Sequence, residues 1–373
     1  MEQRIIKTTE NYSELDAFFK ESKIKSLLLV CDSAFGFLNI SKYFDDFENR
    51  LGIKLTKFDD FKPNPLYESV VEGVEILHKN ECDMVLAIGG GSAMDVAKCI
   101  KLYSNMDPKE NYLKQEIVVN DLPFIAMPTT AGTGSEATRY AVIYYNGEKQ
   151  SVTSESFIPS TVIFDASALK TLPIYQKKST MLDALCHSIE SFWSVNSTEE
   201  SREYSKTAIK AILSNMDKYF ANEGDGNENM LKASNTAGKA INITQTTAGH
   251  AMCYKLTSLY GIAHGHAAAL CVRKLWPYMV KNTDKCIDPR GEEHLKNIFK
   301  EIADAFGEKD ELSACDKFAK LVDSLELEVP VAKSEEDFDT LKSSVNPVRL
   351  KNNPVGLDSE TLDMLYRQIV KMQ

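Results

Sequence analysis

The sequence predicts two domains: an α/β domain with a parallel sheet at residues 1–165, and an all-helical domain at residues 166–373. The first half alternates short β-rich runs with amphipathic helical stretches, which is typical of βαβ units. From about Leu172-Pro173 onward, the spacing of apolar residues is almost entirely helical. The length of 373 residues also allows two domains that each bury a core.

Strands and helices alternate through the first half. A buried strand is predicted at 26–32, and an amphipathic helix at 66–79 follows Asn64-Pro65. The apolar run 84–88 predicts a second buried strand, which ends at Gly89-Gly90-Gly91. The remaining predicted elements of this half are a helix at 92–103 and strands at 123–127, 141–145 and 162–165.

Helical periodicity dominates the second half. Residues 221–227 predict a polar surface loop, and residues 330–354 an irregular stretch before a final helix from Ser359. The other predicted helices of this half are 178–193, 199–220, 229–242 and 267–281.

The charge balance excludes some classes of partner. Lys and Arg number 43 against 54 Asp and Glu, and the net charge of −11 argues against the broad basic surface that nucleic acid or anionic lipid would require. The charged amino terminus and the lack of a long apolar run predict a cytoplasmic protein with no membrane contact. Eight scattered cysteines without a CxxC pair predict reduced core thiols.

A glycine-rich turn joins the second buried strand to a helix. Gly89, Gly90 and Gly91 have no side chains, so backbone N–H groups and the helix amino terminus can approach a pyrophosphate. The turn lacks the GxGxxG fingerprint, and a simple tight turn is an equally good explanation of it alone. A second loop at residues 128–136, rich in glycine and hydroxyl groups, favours a dinucleotide site.

Asp32 closes the first buried strand. A carboxylate there can accept hydrogen bonds from the ribose of adenosine and repel a 2′-phosphate, which favours NAD over NADP. An Asp that caps the following helix is an equal alternative.

Four residues of the second half suit a metal site. Asp183 and His187 are four residues apart, so both side chains leave one face of a helix. A buried Asp–His pair can also be a core hydrogen bond, but His250 and His264 lie among small and apolar residues and favour a metal. One carboxylate and three imidazoles suit Fe²⁺ or Zn²⁺ and leave a position open for a substrate oxygen.

Two further residues are expected near this set. His266 is two residues after His264, too close to share a metal from one helical face, and is expected to be a nearby supporting group. Glu190 is either a support for the ligands or a helix-stabilising partner, and a solvated position is a third possibility.

With these motifs, the sequence resembles the iron-containing (group III) alcohol dehydrogenases over nearly its whole length. The matching features are Asn64-Pro65, residues 89–92 with Asp95 and Lys98, residues 128–136, residues 183–187, the interval of fourteen residues from His250 to His264, and Asn352-Asn353-Pro354.

The resemblance implies a dehydroquinate synthase-like fold, with an amino-terminal Rossmann-like NAD-binding domain, a helical metal domain and an active site in the cleft between them. It implies that Asp183, His187, His250 and His264 hold Fe²⁺, or zinc in some members, and act in catalysis. It also implies a homodimer or larger assembly. The residues at positions that contact NAD(H) in the family are Asp32, Gly90, Gly91, Ser92, Thr129, Thr130, Thr138, Val142 and Lys149.

The chain departs from the family pattern at Tyr254, where many members carry a histidine proposed as a proton relay. A phenol with an ordinary pKa of about 10 is a poor shuttle at neutral pH, so protons are expected to travel through the ribose hydroxyls, water or His266. Tyr254 can still donate a hydrogen bond, or simply pack.

Within the family, residues 191–205 and 238–254 are most similar to phosphonoacetaldehyde reductases, which interconvert that aldehyde and 2-hydroxyethylphosphonate. A doubly charged phosphonate needs basic and hydroxyl partners. Each candidate could instead be a surface charge or a helix cap. The candidates are Arg139, Lys239, Thr246, Thr247, Tyr254 and Arg349.

The predicted function is therefore metal-dependent, NADH-linked reduction of a small aldehyde, with phosphonoacetaldehyde as the expected substrate. The alternatives are a short-chain alcohol dehydrogenase for uncharged substrates and a lyase resembling 3-dehydroquinate synthase. A module that binds metal or nucleotide without catalysis is a third alternative, disfavoured because an open metal site beside two phosphate loops has no evident passive use.

Overall fold

Residues 3–373 are described by the computed structural model, and they divide into two units between Leu172 and Pro173. The first unit extends beyond the predicted boundary at residue 165. The reason is a 3₁₀ turn at Ala166–Leu169, which Asp165 caps by accepting a hydrogen bond from the Ser167 amide at 2.8 Å. The Tyr12 hydroxyl donates a hydrogen bond to Asp165 Oδ2 at 2.8 Å, which connects this turn to the first unit.

The first unit contains the α/β architecture that the sequence predicts. Its helices are α1 (Ser13–Ser22), α2 (Ser41–Phe44), α3 (Phe47–Leu51), α4 (Tyr67–Lys79) and α5 (Gly91–Tyr103). Its strands are β1 (Arg4–Lys7), β2 (Ser26–Cys31), β3 (Lys54–Phe58), β4 (Met84–Gly89), β5 (Phe124–Pro128), β6 (Tyr140–Tyr145), β7 (Glu148–Thr153) and β8 (Thr161–Phe164).

Six of these strands form one parallel sheet in the order β1-β8-β5-β4-β2-β3. The central strands β2 and β4 are buried along their whole length, as strands covered on both faces must be. The edge strands β1 and β3 were not predicted, because they are short, largely exposed and carry charged side chains.

The predicted strand at 141–145 exists as β6, but it pairs with β7 in a separate antiparallel hairpin. The turn between them is Asn146-Gly147, and both residues have positive φ, at 53° and 77°. Such a turn matches the twist of two antiparallel strands, which explains why this segment leaves the parallel sheet.

The sheet order reverses between β2 and β4, which are neighbours although β3 lies between them in the chain. In doubly wound sheets, ligands bind outside the carboxyl ends of the strands at such a reversal. Asp32 directly follows β2 and Gly90 directly follows β4, so the two residues meet at this point.

The second unit is helical, apart from one short parallel pair of two-residue strands. These are β9 (Val331–Ala332) and β10 (Lys371–Met372). The helices are α6 (Ile174–Trp193), α7 (Glu199–Ala221), α8 (Gly226–Thr244), α9 (Ala248–Tyr260), α10 (His264–Lys281), α11 (Glu292–Phe306), α12 (Glu311–Ser324), α13 (Glu335–Ser343), α14 (Pro347–Leu350) and α15 (Ser359–Ile369). In residues 3–373, no helix has the length and apolarity needed to cross a bilayer.

Two predicted irregular segments are more regular than expected. The stretch 330–354 contains β9, α13 and α14, and the predicted loop 221–227 is shortened because α8 already begins at Gly226. Gly226 packs directly on the end of α7: a Cβ there would lie 2.5 Å from the Lys218 carbonyl carbon.

Helix α6 is the centre of the second unit. It packs against α7, α8 and α10, and nearly every residue from Met181 to Trp193 is buried. Helices α9 and α10 pack on each other, and α14 contacts α9. The segments that carry Asp183, His187, His250 and His264 are thus all held by one helical core.

Candidate metal centre and nucleotide loops

Three imidazole nitrogens lie around one oxygen of a buried carboxylate. Asp183 Oδ1 is 3.3 Å from His250 Nε2, and 3.9 Å from the Nε2 atoms of both His187 and His264. Possible metal-ligand atoms of Asp183, His187 and His250 all lie within 4.8 Å of one another. We call these three residues and His264 the imidazole–carboxylate group.

Three helices supply the group. Asp183 and His187 are one turn apart on α6, His250 lies in the first turn of α9, and His264 begins α10. Gly265 lets the start of α10 approach α6, because a Cβ there would lie 2.6 Å from the Asp183 Cβ and would also overlap the Ser179 carbonyl oxygen. A glycine at 265 is therefore what permits His264 to reach Asp183.

The four side chains of the imidazole–carboxylate group differ in their exposure to solvent. Asp183, His187 and His250 are buried, whereas 37% of the His264 side chain is exposed. Burial alone would raise the pKa of Asp183, but the imidazoles of His187, His250 and His264 outweigh it and hold that pKa below its ordinary value. An anionic oxygen ringed by nitrogens fits a divalent iron or zinc ion, with access from the His264 side.

Glu190 supports His250 from behind. Its Oε2 is hydrogen-bonded to His250 Nδ1, and its Oε1 accepts from the Thr247 hydroxyl at 2.6 Å and from the His250 amide at 3.2 Å. A carboxylate hydrogen-bonded to Nδ1 fixes the orientation of the ring and leaves Nε2, on the side of Asp183, free to bind a metal. These contacts favour the first of the roles considered for Glu190.

Glu190 and His250 each shift the pKa of the other. Burial would lower the pKa of His250, but the Glu190 carboxylate outweighs burial and raises it to about 9. Burial would raise the pKa of Glu190, and the charge of His250 holds it below its ordinary value.

Cys253 is a contact that the sequence analysis missed. Its Sγ lies 3.5 Å from His264 Nδ1 and donates to the His250 carbonyl oxygen at 3.3 Å. It thus occupies the side of the His264 ring opposite Nε2. Its position three residues after His250 on one helix was the available signal, since residues three apart share a face.

The hydrogen bonds of His266 go to side chains of α6 and not to the imidazole–carboxylate group. Its Nδ1 lies 3.2 Å from the Tyr175 hydroxyl, and its amide donates to the Ser179 hydroxyl at 3.1 Å. Two residues span about 200° of a helix, so the His266 ring leaves α10 on a different side from His264.

The glycine turn of the first unit has the geometry of a phosphate cradle. Gly90 precedes the first residue of α5, and Gly90, Gly91 and Ser92 are half-buried. A Cβ on Gly89 would lie 2.5 Å from the Ala93 Cβ and 2.8 Å from Asp32 Oδ2, so close packing requires glycine there. An unobstructed helix amino terminus of this kind suits a pyrophosphate.

Asp32 has local partners of its own. Its Oδ1 accepts from the Ala34 amide at 2.9 Å, and its Oδ2 accepts from the Gly90 amide at 3.4 Å. These contacts close a local turn, but no side chain caps the 3₁₀ helix Phe35–Phe37 that follows, so the capping alternative is not supported and contact with a ribose stays a prediction.

A buried lysine stabilises the end of the second loop, residues 128–136, by hydrogen bonds. Lys98 on α5 is fully buried, and five oxygens lie 2.7 to 3.2 Å from its Nζ, whose three N–H groups are shared among them. These oxygens are the carbonyl and hydroxyl oxygens of Ser135 and Thr138 and the carbonyl oxygen of Tyr140. Burial lowers the pKa of Lys98 to about 8, against the charge of Asp95. The lysine thus fixes the segment between Ser135 and Tyr140.

Asp95 completes this arrangement. It accepts from the Val142 amide at 3.1 Å and from the Ser135 hydroxyl at 3.2 Å. Burial raises the pKa of Asp95 to about 6, although the charge of Lys98 opposes this.

The other predicted cofactor residues occupy varied places. Thr129 is buried directly after β5, Thr130 approaches Gly90, and Lys149 lies opposite Tyr144 in the hairpin. Thr138 and Val142 are held by Lys98 and Asp95, as described above. Their contact with a cofactor stays a prediction for all of them.

Some substrate candidates contact residues of the imidazole–carboxylate group or their neighbours, and others do not. Arg139 lies in the first unit, where it pairs with Glu155 at 2.6 Å, and Lys239 is half-buried on α8 of the second unit. Also in the second unit, Tyr254 stacks on His264 with ring centres 5.3 Å apart, and Thr246 accepts a hydrogen bond from Arg349 at 2.9 Å. The structure brings Tyr254, Thr246 and Arg349 beside the imidazole–carboxylate group.

Comparison with known proteins identifies the family. The model of the iron-containing alcohol dehydrogenases matches residues 2–166, and the model of the carboxy-terminal part of the Fe-containing alcohol dehydrogenase family matches residues 177–370. The chain belongs to the iron-containing alcohol dehydrogenase family. It is therefore an oxidoreductase of the NAD-dependent aldehyde reductase and alcohol dehydrogenase class, and the imidazole–carboxylate group is the candidate site for its metal.

Individual relatives of this dehydrogenase are moderately similar. Phosphonoacetaldehyde reductase from Streptomyces viridochromogenes is 29% identical over 321 residues, which cover 82% of the chain and 81% of the relative. Alcohol dehydrogenase 4 from Schizosaccharomyces pombe is 30% identical over 86% of the chain and 76% of the relative.

Solved structures agree with the fold. Sulfoacetaldehyde reductase from Bifidobacterium kashiwanohense, solved in complex with NAD⁺, superposes with a TM-score of 0.84 at 27% identity, covering 98% of the chain and 96% of the relative. The predicted fold class, a parallel-sheet domain followed by a helical domain of the iron-containing alcohol dehydrogenase type, is confirmed.

Proposed function

We propose that the enzyme uses NADH to reduce a two-carbon aldehyde with an anionic head group, and specifically phosphonoacetaldehyde to 2-hydroxyethylphosphonate. The observation that carries the chemistry is the ring of three imidazole nitrogens around Asp183 Oδ1, with His264 exposed on one side. The head group is supported by two relatives, whose named substrates are aldehydes that carry a phosphonate and a sulfonate.

The residues of the group would hold a divalent iron or zinc ion. Asp183 supplies the one negative charge, and Glu190 orients His250 so that its Nε2 faces the site. When bound, the metal supplies Lewis acidity toward the aldehyde oxygen, and NADH supplies the hydride. Because three of the four side chains are buried, bulk water is kept from all but the His264 side.

The proton that completes the alcohol does not come from an imidazole at position 254. Burial raises the pKa of Tyr254 above its ordinary value, so its phenol stays protonated at neutral pH and can donate a hydrogen bond to the substrate oxygen. We expect the proton to reach the alcohol through water and the ribose hydroxyls, because the His266 ring is hydrogen-bonded to Tyr175.

We further infer a cytoplasmic location, because all eight cysteines are free thiols and reducing compartments preserve thiols. Assembly into a homodimer or a larger oligomer stays a prediction from the family resemblance.

The test is NADH oxidation by metal-loaded protein with phosphonoacetaldehyde, sulfoacetaldehyde and propanal at matched concentrations. We expect the highest kcat/KM with phosphonoacetaldehyde. Turnover of propanal alone would refute the anionic substrate and leave the dehydrogenase class intact. Absence of NADH oxidation with every aldehyde would refute the proposed reaction.

A further inference from the structure

Among the residues that the structure describes, Arg349 is the arginine whose charge has no carboxylate partner. The sequence contains eight arginines, and seven of them have a carboxylate oxygen within 4.0 Å. For Arg349, no carboxylate among residues 3–373 lies within that distance. Arg349 is half-buried, so its charge is partly removed from water, and no carboxylate of residues 3–373 is close enough to act as its counter-ion.

The contacts of Arg349 orient it without neutralising it. Its Nη1 donates to the Thr246 hydroxyl at 2.9 Å, and its guanidinium carbon lies 5.3 Å from the centre of the Tyr254 ring. A guanidinium has five N–H donors, and Thr246 accepts from one of them. Donors therefore remain for a ligand that carries negative charge.

Both contacts lead to the imidazole–carboxylate group. Tyr254 stacks on His264, with 5.3 Å between the ring centres. Thr246 precedes Thr247, whose hydroxyl donates to the Glu190 carboxylate that holds His250. Helix α14, which carries Arg349, packs against α9, which carries His250.

From this placement, and resting on the proposed function, we propose that Arg349 binds the anionic head group of the substrate, with Thr246 and Tyr254 as its positioning residues. In phosphonoacetaldehyde, one methylene group separates the carbonyl carbon from phosphorus. An aldehyde whose oxygen lies in the imidazole–carboxylate group must therefore place its phosphonate only a few bonds away. A planar guanidinium presents two parallel donors to such an oxyanion.

The other basic candidates fit this role less well. The charge of Arg139 is already paired with Glu155 at 2.6 Å. Lys239 lies on α8, and its ammonium could offer a point charge but not a bidentate contact. Arg349 is the candidate that combines an uncompensated charge with contacts to the neighbours of His264 and His250.

The proposal also explains the phenol at position 254. An imidazole there, when protonated, would place a second cation against the Arg349 guanidinium. The tyrosine ring instead offers its electron-rich face to the guanidinium, which is a favourable contact.

The experiment compares Arg349→Gln, Arg349→Lys and Arg202→Gln, each metal-loaded, with phosphonoacetaldehyde and with propanal. Arg202→Gln is the matched control, because Arg202 pairs with Glu301 at 3.5 Å on α7 and α11. In Arg349→Gln, we expect kcat/KM for phosphonoacetaldehyde to fall about 100-fold further than that for propanal, chiefly through KM. Arg349→Lys should recover part of this loss, and Arg202→Gln should behave as wild type.

A binding measurement separates the two proposals and guards against misfolding. Calorimetry with ethylphosphonate should show binding to wild type that weakens in Arg349→Gln. If Arg349→Gln does not fold, Thr246→Val, which removes one orienting hydrogen bond, should weaken ethylphosphonate binding about 5-fold. Unchanged phosphonate preference and binding in folded Arg349→Gln, or in Thr246→Val, would overturn the role of Arg349. If wild type does not prefer phosphonoacetaldehyde over propanal, the proposed substrate itself is wrong.

Discussion

Glu190 and His250 form a buried pair in which one carboxylate oxygen meets Nδ1 of the ring and the other accepts from the backbone amide of the same histidine. The pair therefore fixes both the ring and the chain that carries it. His250 Nε2 is left facing Asp183 at 3.3 Å, which is the orientation that a metal ligand needs.

Replacing this carboxylate should weaken metal binding. In Glu190→Gln, we expect the affinity for zinc to fall about 10- to 100-fold, because an amide no longer stabilises the ring in one orientation. Competition with a chromophoric chelator measures this change. Glu203→Gln, on the exposed face of α7, is the matched control. Equal affinities in the two variants would mean that Glu190 does not orient His250.

Metal binding should also depend on pH in a defined direction. The metal takes the neutral imidazole, whereas Glu190 raises the pKa of His250 to about 9 in the metal-free protein. A proton therefore competes with the metal below pH 9, and the apparent affinity should rise as the pH rises toward that value. Calorimetry in buffers of different ionisation enthalpy should show release of about one proton per ion at pH 7. Binding without proton release would contradict a protonated His250.

Lys98 should stabilise the second loop of the first unit. We expect Lys98→Met to lower the free energy of unfolding by about 3 kcal/mol, because its acceptors would be left buried without a donor. NAD⁺ affinity should fall as well, since Lys98 holds Thr138. Lys101→Met is the control, because that buried lysine has one carbonyl acceptor, Asn120. Urea unfolding measures both variants, and equal losses would argue against a special role for Lys98.

The approach of α10 to α6 should be sensitive to a single methyl group. In Gly265→Ala, the added Cβ would press on Asp183, and we expect a loss of about 2 kcal/mol of stability together with weaker metal binding. Gly356→Ala is the control, because the nearest atom to a Cβ there is 3.4 Å away. Thermal unfolding with and without zinc reports both effects. A fully stable Gly265→Ala with normal zinc affinity would show that this contact can relax.

The sequence predicted those parts of the site that depend on local spacing. Asp183 and His187 are one helical turn apart, and the glycines after β4 mark a strand-to-helix turn, so both could be found without a fold. The interval from His250 to His264 corresponds to α9 and its closing loop, which bring both rings to one carboxylate.

Contacts between distant segments could not be predicted in this way. Arg349 contacts Thr246 across more than one hundred residues of sequence. Whether a described carboxylate lies near Arg349 depends on the whole fold, and sequence spacing does not show it. The edge strands β1 and β3 were also not predicted, because their charged, exposed residues do not form an apolar run. The direction of the His266 ring, toward Tyr175, depends on where α10 begins, which spacing alone left open.

The most direct test of the metal-dependent reaction is a titration of metal-free protein with the metal ion. Ferrous iron or zinc is added stepwise to metal-free protein, and NADH oxidation with phosphonoacetaldehyde is followed. We expect the rate to rise to a plateau at one ion per chain in wild type, and to stay near zero in His250→Ala over the same range. A full rate without added metal, or an unchanged titration in His250→Ala, would contradict the assignment of Asp183, His187, His250 and His264 as the metal centre.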